Sequence, residues 1–288
     1  MIKQITIFGV GLIGGSLAMA LNKAGFCEKI VGCSRNREHL QQAVELGVID
    51  QFTTDPRLAV ENADLIFLSV PLGAMASILT QIKDYIPKHA IITDGGSAKM
   101  SVKQAAEQAF DGKLPRNFVL GHPIAGREKS GVGAAIVNLY QDRKVILTPV
   151  TDTNTEALTT VTKMWQTTGA IVETLNVEEH DLTLAATSHL PHVLAYELIS
   201  TLAQSDVSED IFRYTAGGFQ DFTRIASSDP VMWRDICLEN RDAILTMLDE
   251  FTDNLQVLRK DIADSNAEAI YEEFSLAKDA RDQAMRHR

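Results

Sequence analysis

The 288-residue sequence predicts an α/β fold, a doubly wound parallel sheet followed by an all-helical domain. Short β-branched runs alternate with helical stretches through the first 175 residues. Those runs are continuously apolar, as befits strands covered on both faces. Beyond residue 175 they vanish, and helical periodicity takes over to the end. The expected domains are therefore 1–175 and 176–288.

The predicted strands, in order, are QITIFG (4–9), KIVGCS (29–34), LIFLSV (65–70), AIITDG (90–95), FVLGH (118–122), KVILTP (144–149) and AIVET (170–174). Helical runs such as SLAMALNKAG and REHLQQAVELG fall between them. In the second half, apolar positions step through Ile244, Leu248, Phe251, Leu255, Leu258 and Ile262 at spacings of three and four. That predicts one long amphipathic helix whose apolar stripe needs a cover, from the same chain or from a second copy.

Composition narrows the function. The 27 Lys+Arg against 38 Asp+Glu give a net charge of −11, which argues against nucleic acid and anionic membranes as partners. Any anionic small molecule then needs its own local cations. Cys27, Cys33 and Cys237 form no CxxC pair, as expected of free thiols in a reducing cytoplasm. No basic region with a cleavage site opens the chain, and no apolar run approaches the roughly 20 residues of a membrane span. A cytoplasmic protein is the expectation.

The first predicted strand runs into GVGLIGGS. Gly9, Gly11 and Gly14 make a GxGxxG between strand and helix, with Leu12 and Ile13 inside it. The first glycine permits the tight turn, the second lets a pyrophosphate approach the backbone, and the third lets helix and strand pack closely. The helix then offers free N–H groups to the phosphates. This predicts a Rossmann-type dinucleotide site. At the tip of the second strand, where NAD sites place an acid, stand Ser34 and Arg35, with Arg37 close behind. A hydroxyl and a guanidinium suit a 2′-phosphate, so NADP is expected, with NAD the alternative.

Ligands of such sheets bind at the carboxyl ends of the strands. Three polar segments fall there. SVPLGA supplies Ser69, Val70 and Pro71 to the nicotinamide side; DGGSAKMSV places Ser97 and Lys99 on a loop opening a helix; GHPIAG carries His122. Pro123 cannot extend a ladder and restricts His122 to extended backbone, which predicts an imidazole held out on a constrained loop. In the helical half, TSHLPH puts His189 and His192 three apart on nearly one face. No carboxylate or cysteine stands at a matching ligand spacing, so substrate binding is expected there and no metal. GGFQDFTRIASSDPVMWRD then holds Asp221, Arg224 and Trp233 in a stretch read as loop-rich, with Arg224 suited to clamp a carboxylate.

The ordered set GVGLIGGS, DGGSAK, GHPIAG, TSHLPH and GGFQDFTRIASSDPVMWRD resembles the prephenate/arogenate dehydrogenase family of tyrosine biosynthesis, over essentially the whole chain. The resemblance implies a nucleotide-binding domain, a helical dimerisation domain and an active site between them. It implies oxidative decarboxylation of a cyclohexadienyl acid, with hydride passing to the nicotinamide, in a homodimer. It further implies that His122 accepts a hydrogen bond from the substrate's ring hydroxyl, and that Ser97 bonds the same hydroxyl and helps orient the histidine. By the same likeness His192 lies beside the substrate side chain, with His189 in the vicinity. Arg224 binds a substrate carboxylate, Trp233 borders that pocket, and Asp221 stands near its mouth. A 3-hydroxy-acid dehydrogenase of similar build is the alternative enzyme, but it depends on a lysine in the helical domain, where only Lys260 and Lys278 stand, in charged contexts. A nucleotide-sensing protein without catalysis is the other alternative; the intact Ser97–His122 pair argues against it.

Overall fold

The computed structural model describes residues 2–127, 129–205 and 211–286. Among the described residues nine strands form two sheets. The six-stranded sheet joins β1 (Ile2–Phe8), β2 (Cys27–Cys33), β3 (Gln51–Thr53), β4 (Leu65–Leu68), β5 (Ile91–Asp94) and β6 (Phe118–Val119) in the order β3-β2-β1-β4-β5-β6. Every neighbouring pair in it is parallel. The second sheet orders β7 (Gly121–Pro123), β8 (Lys144–Leu147) and β9 (Ile171–Thr174), with β7 antiparallel to β8.

Two expectations change here. FVLGH is not one strand: the chain leaves the main sheet at Leu120 and starts the second sheet at Gly121. The run is apolar throughout, so its periodicity carries no mark of the break. QFT adds an unpredicted edge strand too short for a pattern to register.

The helices are α1 (Leu12–Ala24), α2 (Arg37–Glu45), α3 (Pro56–Val60), α4 (Met75–Ile82), α5 (Lys99–Ala109), α6 (Thr155–Thr167), α7 (Val177–Leu184), α8 (Leu190–Ala203), α9 (Gly217–Thr223), α10 (Pro230–Glu239), α11 (Arg241–Ala263) and α12 (Ala267–Arg286). Their starts follow local chemistry. Asn36 caps α2 by accepting from the His39 N–H, and Asp55 and Asp229 cap α3 and α10 ahead of a proline. Asn176 and Glu179 close a reciprocal capping box on α7. The stretch holding Asp221, Arg224 and Trp233 is therefore not loop-rich but helical, as α9, a 3-10 turn over Arg224–Ser227, and α10. Its glycines, Asp229 and Pro230 act at helix starts rather than as breakers.

Between α7 and α8 the chain keeps coiling through a π-turn, Ala185–His189. Such a widened turn resets the angular register of the helix after it.

The core packs Ile5, Ile7, Leu17, Leu21, Ile30, Leu65 and Phe67 against Trp165 of α6. Trp165 meets Phe67 and Tyr140 edge-on at ring distances of 5.6 and 5.1 Å. The Tyr140 hydroxyl donates to the Ile13 carbonyl at 2.6 Å, tying the core to the first turn of α1.

The chain divides into two compact units, Met1–Arg241 and Asp242–Arg288. The second holds α12 and all but the first residue of α11, joined by a turn at Ser265, whose φ is +53°. The predicted long amphipathic helix is α11, and Phe251, Leu255 and Ile262 of its stripe are exposed, as are Tyr271, Phe274 and Leu276 of α12. Among the described residues no helix is long and apolar enough to cross a membrane.

Candidate active site

The chain leaves β1 through Gly9, whose φ of +85° belongs to the left-handed region that glycine tolerates. A side chain at Gly9 would strike the Ser69 carbonyl, and one at Gly14 would strike the Gly9 carbonyl and come within 2.8 Å of Ile7. A side chain at Gly11 would meet nothing within 4 Å. The turn is thus sealed from below by Gly9 and Gly14 and open above Gly11. The first turn of α1 carries no side-chain cap and no acid, so its N–H groups and positive dipole end face that opening. A pyrophosphate fits this cradle on geometry and charge. Ser69 at the end of β4 supports the turn directly: its hydroxyl bonds the Phe8 and Gly9 carbonyls at 3.1 and 2.7 Å. Val70 and Pro71 follow beside it.

At the tip of β2, Ser34, Arg35, Asn36, Arg37, Glu38 and His39 line an open hollow of about 640 Å³. The Ser34 hydroxyl donates to the Asn36 carbonyl at 3.2 Å, and Arg35 is exposed. Arg37 lies 5.3 Å above the Phe52 ring, supplied by β3. No carboxylate occupies the tip itself; Glu38 stands in the first turn of α2.

His122 does not sit on a loop. It is the middle residue of β7, opposite Ile146, and is 9% exposed. β7 is an edge strand, which is why Pro123 is tolerated at its end. Around it lies a buried polar cluster. His122 Nδ1 is 2.9 Å from His180 Nε2, and His180 Nδ1 is 2.7 Å from Asp181 Oδ1. The Asp181 carboxylate also accepts from the Lys99 and Met100 backbone N–H groups at 2.7 and 2.8 Å, so α7 caps the start of α5. The Lys99 ammonium, fully buried, pairs with Asp94 and donates to the Gly121 carbonyl at 2.6 Å. Asp94 in turn accepts from the Gly121 and Gly96 N–H groups. Strand ends β5 and β7 are thereby locked to each other and to α7. Ser97, half-buried, sits on the loop between Asp94 and α5. The bond at His122 Nδ1 goes to His180, a partner the motifs did not offer.

Burial drives the His122 pKa well below its ordinary value, helped by His180, Lys99 and His189 nearby. His180 is pulled down by burial against the bond to Asp181. For Asp181 burial works upward, but the His180 ring and the two amides outweigh it and hold the carboxyl low. The Lys99 pKa falls through burial, against the pull of Asp94. The outcome is a neutral imidazole at position 122, a group that can accept a proton.

The second histidine cluster centres on Trp233. His192 stacks on its indole with ring centres 3.7 Å apart, and His189 meets it edge-on at 6.0 Å. The π-turn and α8 place both histidines against one ring. His192 Nδ1 donates to the Ser188 carbonyl at 2.8 Å, which leaves Nε2 as the acceptor in the neutral ring. Asn240 Nδ2 donates to the Asp181 carbonyl at 2.9 Å and to His189 Nδ1 at 3.0 Å, joining this cluster to the first. Burial takes the His189 pKa down to about 4. The Trp233 indole N–H is buried without a partner among the described residues. Arg224, exposed on the 3-10 turn, lies close enough to depress His192, whose main depressant is burial. Asp221 is exposed on α9. These two and the β2 tip stand at the surface, apart from the buried cluster.

Sequence reasoning missed His180, Asp181, Asp94 and Asn240, and left Lys99 without a task. One signal existed. Val177, His180, Asp181 and Leu184 are the buried positions of α7, at i, i+3, i+4 and i+7, so a His-Asp pair occupies the apolar face. Polar groups on such a face need partners.

Residues 17–174 match the family described as prephenate dehydrogenase, nucleotide-binding domain, and residues 176–276 match prephenate dehydrogenase, dimerization domain. The cyclohexadienyl dehydrogenase of Zymomonas mobilis is 37% identical over 284 residues, 97% of this chain and 95% of its own. The prephenate dehydrogenase of Bacillus subtilis is 36% identical over 283 residues, 96% of this chain and 75% of its own. Among solved structures, a prephenate dehydrogenase from Aquifex aeolicus in complex with hydroxyphenyl propionate and NAD+ is 38% identical, with a TM-score of 0.91 and 99% of each chain covered. Synechocystis arogenate dehydrogenase is 27% identical, with a TM-score of 0.80 over 98% of this chain and 100% of its own.

Proposed function

This chain belongs to the prephenate dehydrogenase family, and we propose that it oxidises and decarboxylates prephenate, arogenate or both, yielding 4-hydroxyphenylpyruvate or tyrosine and carbon dioxide. One observation carries the reading. His122 Nδ1 is engaged by His180 at 2.9 Å, and among the described residues its Nε2 has no protein partner, while burial favours the uncharged ring. That lone pair accepts the proton of the ring hydroxyl as the carbinol carbon becomes a carbonyl. The bound nicotinamide supplies the hydride acceptor. The bond to the departing carboxylate then delivers its electron pair to the ring, and His122 returns its proton to the new phenolic oxygen. No net proton leaves the site.

The remaining roles extend this reading. Ser97 bonds the same hydroxyl from the α5 side, Arg224 draws in a substrate carboxylate, and Asp221 stands at the mouth. His192 lies beside the substrate side chain with His189 in its vicinity, and Trp233, on which His192 stacks, borders the carboxylate pocket. The cofactor is NADP: Ser34 and Arg35 offer a hydroxyl and a cation to a 2′-phosphate, with no carboxylate at the tip. NAD is the second reading, favoured by the NAD+ bound in the Aquifex relative. The domains divide at 175/176, where the two family matches also part, and the enzyme works as a cytoplasmic homodimer through the exposed apolar stripe of 242–288.

The test is a two-by-two assay of prephenate and arogenate with NAD and NADP, following reduced cofactor. Turnover of at least one acid, with NADP preferred by tenfold or more in kcat/KM, is expected. No turnover of either acid removes the function, and a preference for NAD removes only the cofactor assignment.

A further inference from the structure

The cluster behind His122 has a direction. A carboxylate accepts only, so the contact between Asp181 Oδ1 and His180 places the proton on His180 Nδ1. Neutral His180 then presents a bare Nε2, and the 2.9 Å contact with His122 requires the proton to sit on His122 Nδ1. His122 is left with its lone pair on Nε2. Among the described residues, the side chains sealed without a partner are those of Thr93, Thr148, Trp165 and Trp233, and His122 Nε2 is not among them. A free imidazole prefers the opposite arrangement, so this tautomer has to be imposed.

We propose that His180 and Asp181 are positioning residues for the oxidation: they hold His122 in the Nδ1–H tautomer and steady the imidazolium that forms when it takes the hydroxyl proton. The inference rests on the assignment of His122 as the hydroxyl acceptor. The far end of the chain is closed, because both Asp181 oxygens are taken by the α5 amides and His180. A closed relay suits a proton that is borrowed and returned rather than exported. The charged and titratable groups facing the pair are Lys99 of α5, Asp94 of β5, Asp181 of α7 and His189 of the π-turn. Lys99 and Asp94 pair with each other, which leaves Asp181 to set the polarity of the relay.

The test combines ¹⁵N-histidine NMR of the full chain, which has 7 histidines to assign, with kinetics of four variants. Wild type should show His122 protonated on Nδ1. His180→Leu should lower kcat by about 100-fold or more, with substrate KM and dinucleotide Kd within about threefold, and shift His122 to the Nε2–H form. His180→Gln keeps an acceptor toward His122 and should regain at least about tenfold of that loss. Adding His180→Leu to His122→Asn should cost nothing further, since the first acts through the second. An Nε2–H His122 in wild type, a His180→Leu enzyme within about threefold of wild-type kcat, or equal losses in kcat, KM and Kd would each overturn the proposal. If His180→Leu does not fold, the wild-type spectrum and the Gln variant decide alone. A fully active His122→Asn sinks the assignment of His122 itself; an inactive one beside a normal His180→Leu sinks only the relay.

Discussion

At the glycine turn, what a ligand can touch is backbone: the N–H groups of the first turn of α1, above a Gly11 that has nothing over it. At the His122 cluster, what a ligand can touch is one ring nitrogen, held by side chains from α5, α7 and β5. The first site is made by three residues within six positions. The second joins groups 58 and 82 positions apart. A pyrophosphate needs many weak donors in a fixed arc, which a helix start provides on its own. A proton acceptor needs one group with a controlled charge state, and that takes burial and partners.

The widest separation between the sites should come from His122→Asn. We expect kcat to fall about 1000-fold while dinucleotide Kd stays within about twofold, by steady-state kinetics and cofactor titration. Arg224→Ala should act otherwise, raising substrate KM about tenfold with a smaller change in kcat. A kcat effect for Arg224 as large as that for His122 would merge the two roles.

Acid should separate the sites next. The folded-state pKa of His189 lies at about 4, below its ordinary 6.5, so the unfolded chain binds the extra proton first. The associated stability is complete above pH 6.5 and is lost as pH falls from there towards 4, to about 3 kcal/mol at the limit. His122 and His180 shift in the same direction and add to the slope. Urea midpoints at pH 7.5 and 5 should diverge in wild type and converge in part in His189→Asn. An unchanged difference would mean that His189 is not held neutral by the fold.

The smallest expected effect tests the backbone site alone. Gly11→Ala adds a methyl group that meets no protein atom, so Tm should stay within about 2 °C. Dinucleotide Kd should weaken about tenfold, because the methyl occupies the space where a pyrophosphate lies. Equal affinity in that variant would place the cofactor elsewhere.

Much of this was legible in the residues. GVGLIGGS predicted a turn whose three glycines each have a separate steric task, and two of the three tasks are visible as collisions a side chain would suffer. The apolar runs found six of the main-sheet and second-sheet strands with small shifts of boundary and merged two others, because period-free apolar runs do not mark where one sheet ends. GHPIAG singled out His122 but placed it on a loop, since the proline hid an edge strand from local reasoning. The role of Lys99 was invisible, because a lysine reads as solvated until its carboxylate partner is known.

By itself, then, the sequence determined whatever depends on near neighbours: helix starts, the tight turn after β1, the change from strands to helices, and the motifs that mark the family. The tertiary structure alone decided that His180 and Asp181 stand behind His122, that Asp181 caps a helix 82 positions away, and that His189 and His192 both meet the Trp233 ring. Steric and capping preferences are fixed by a few adjacent residues. The charge state and tautomer of a buried ring are fixed by whichever groups the docking of helices and strands brings within 3 Å of it.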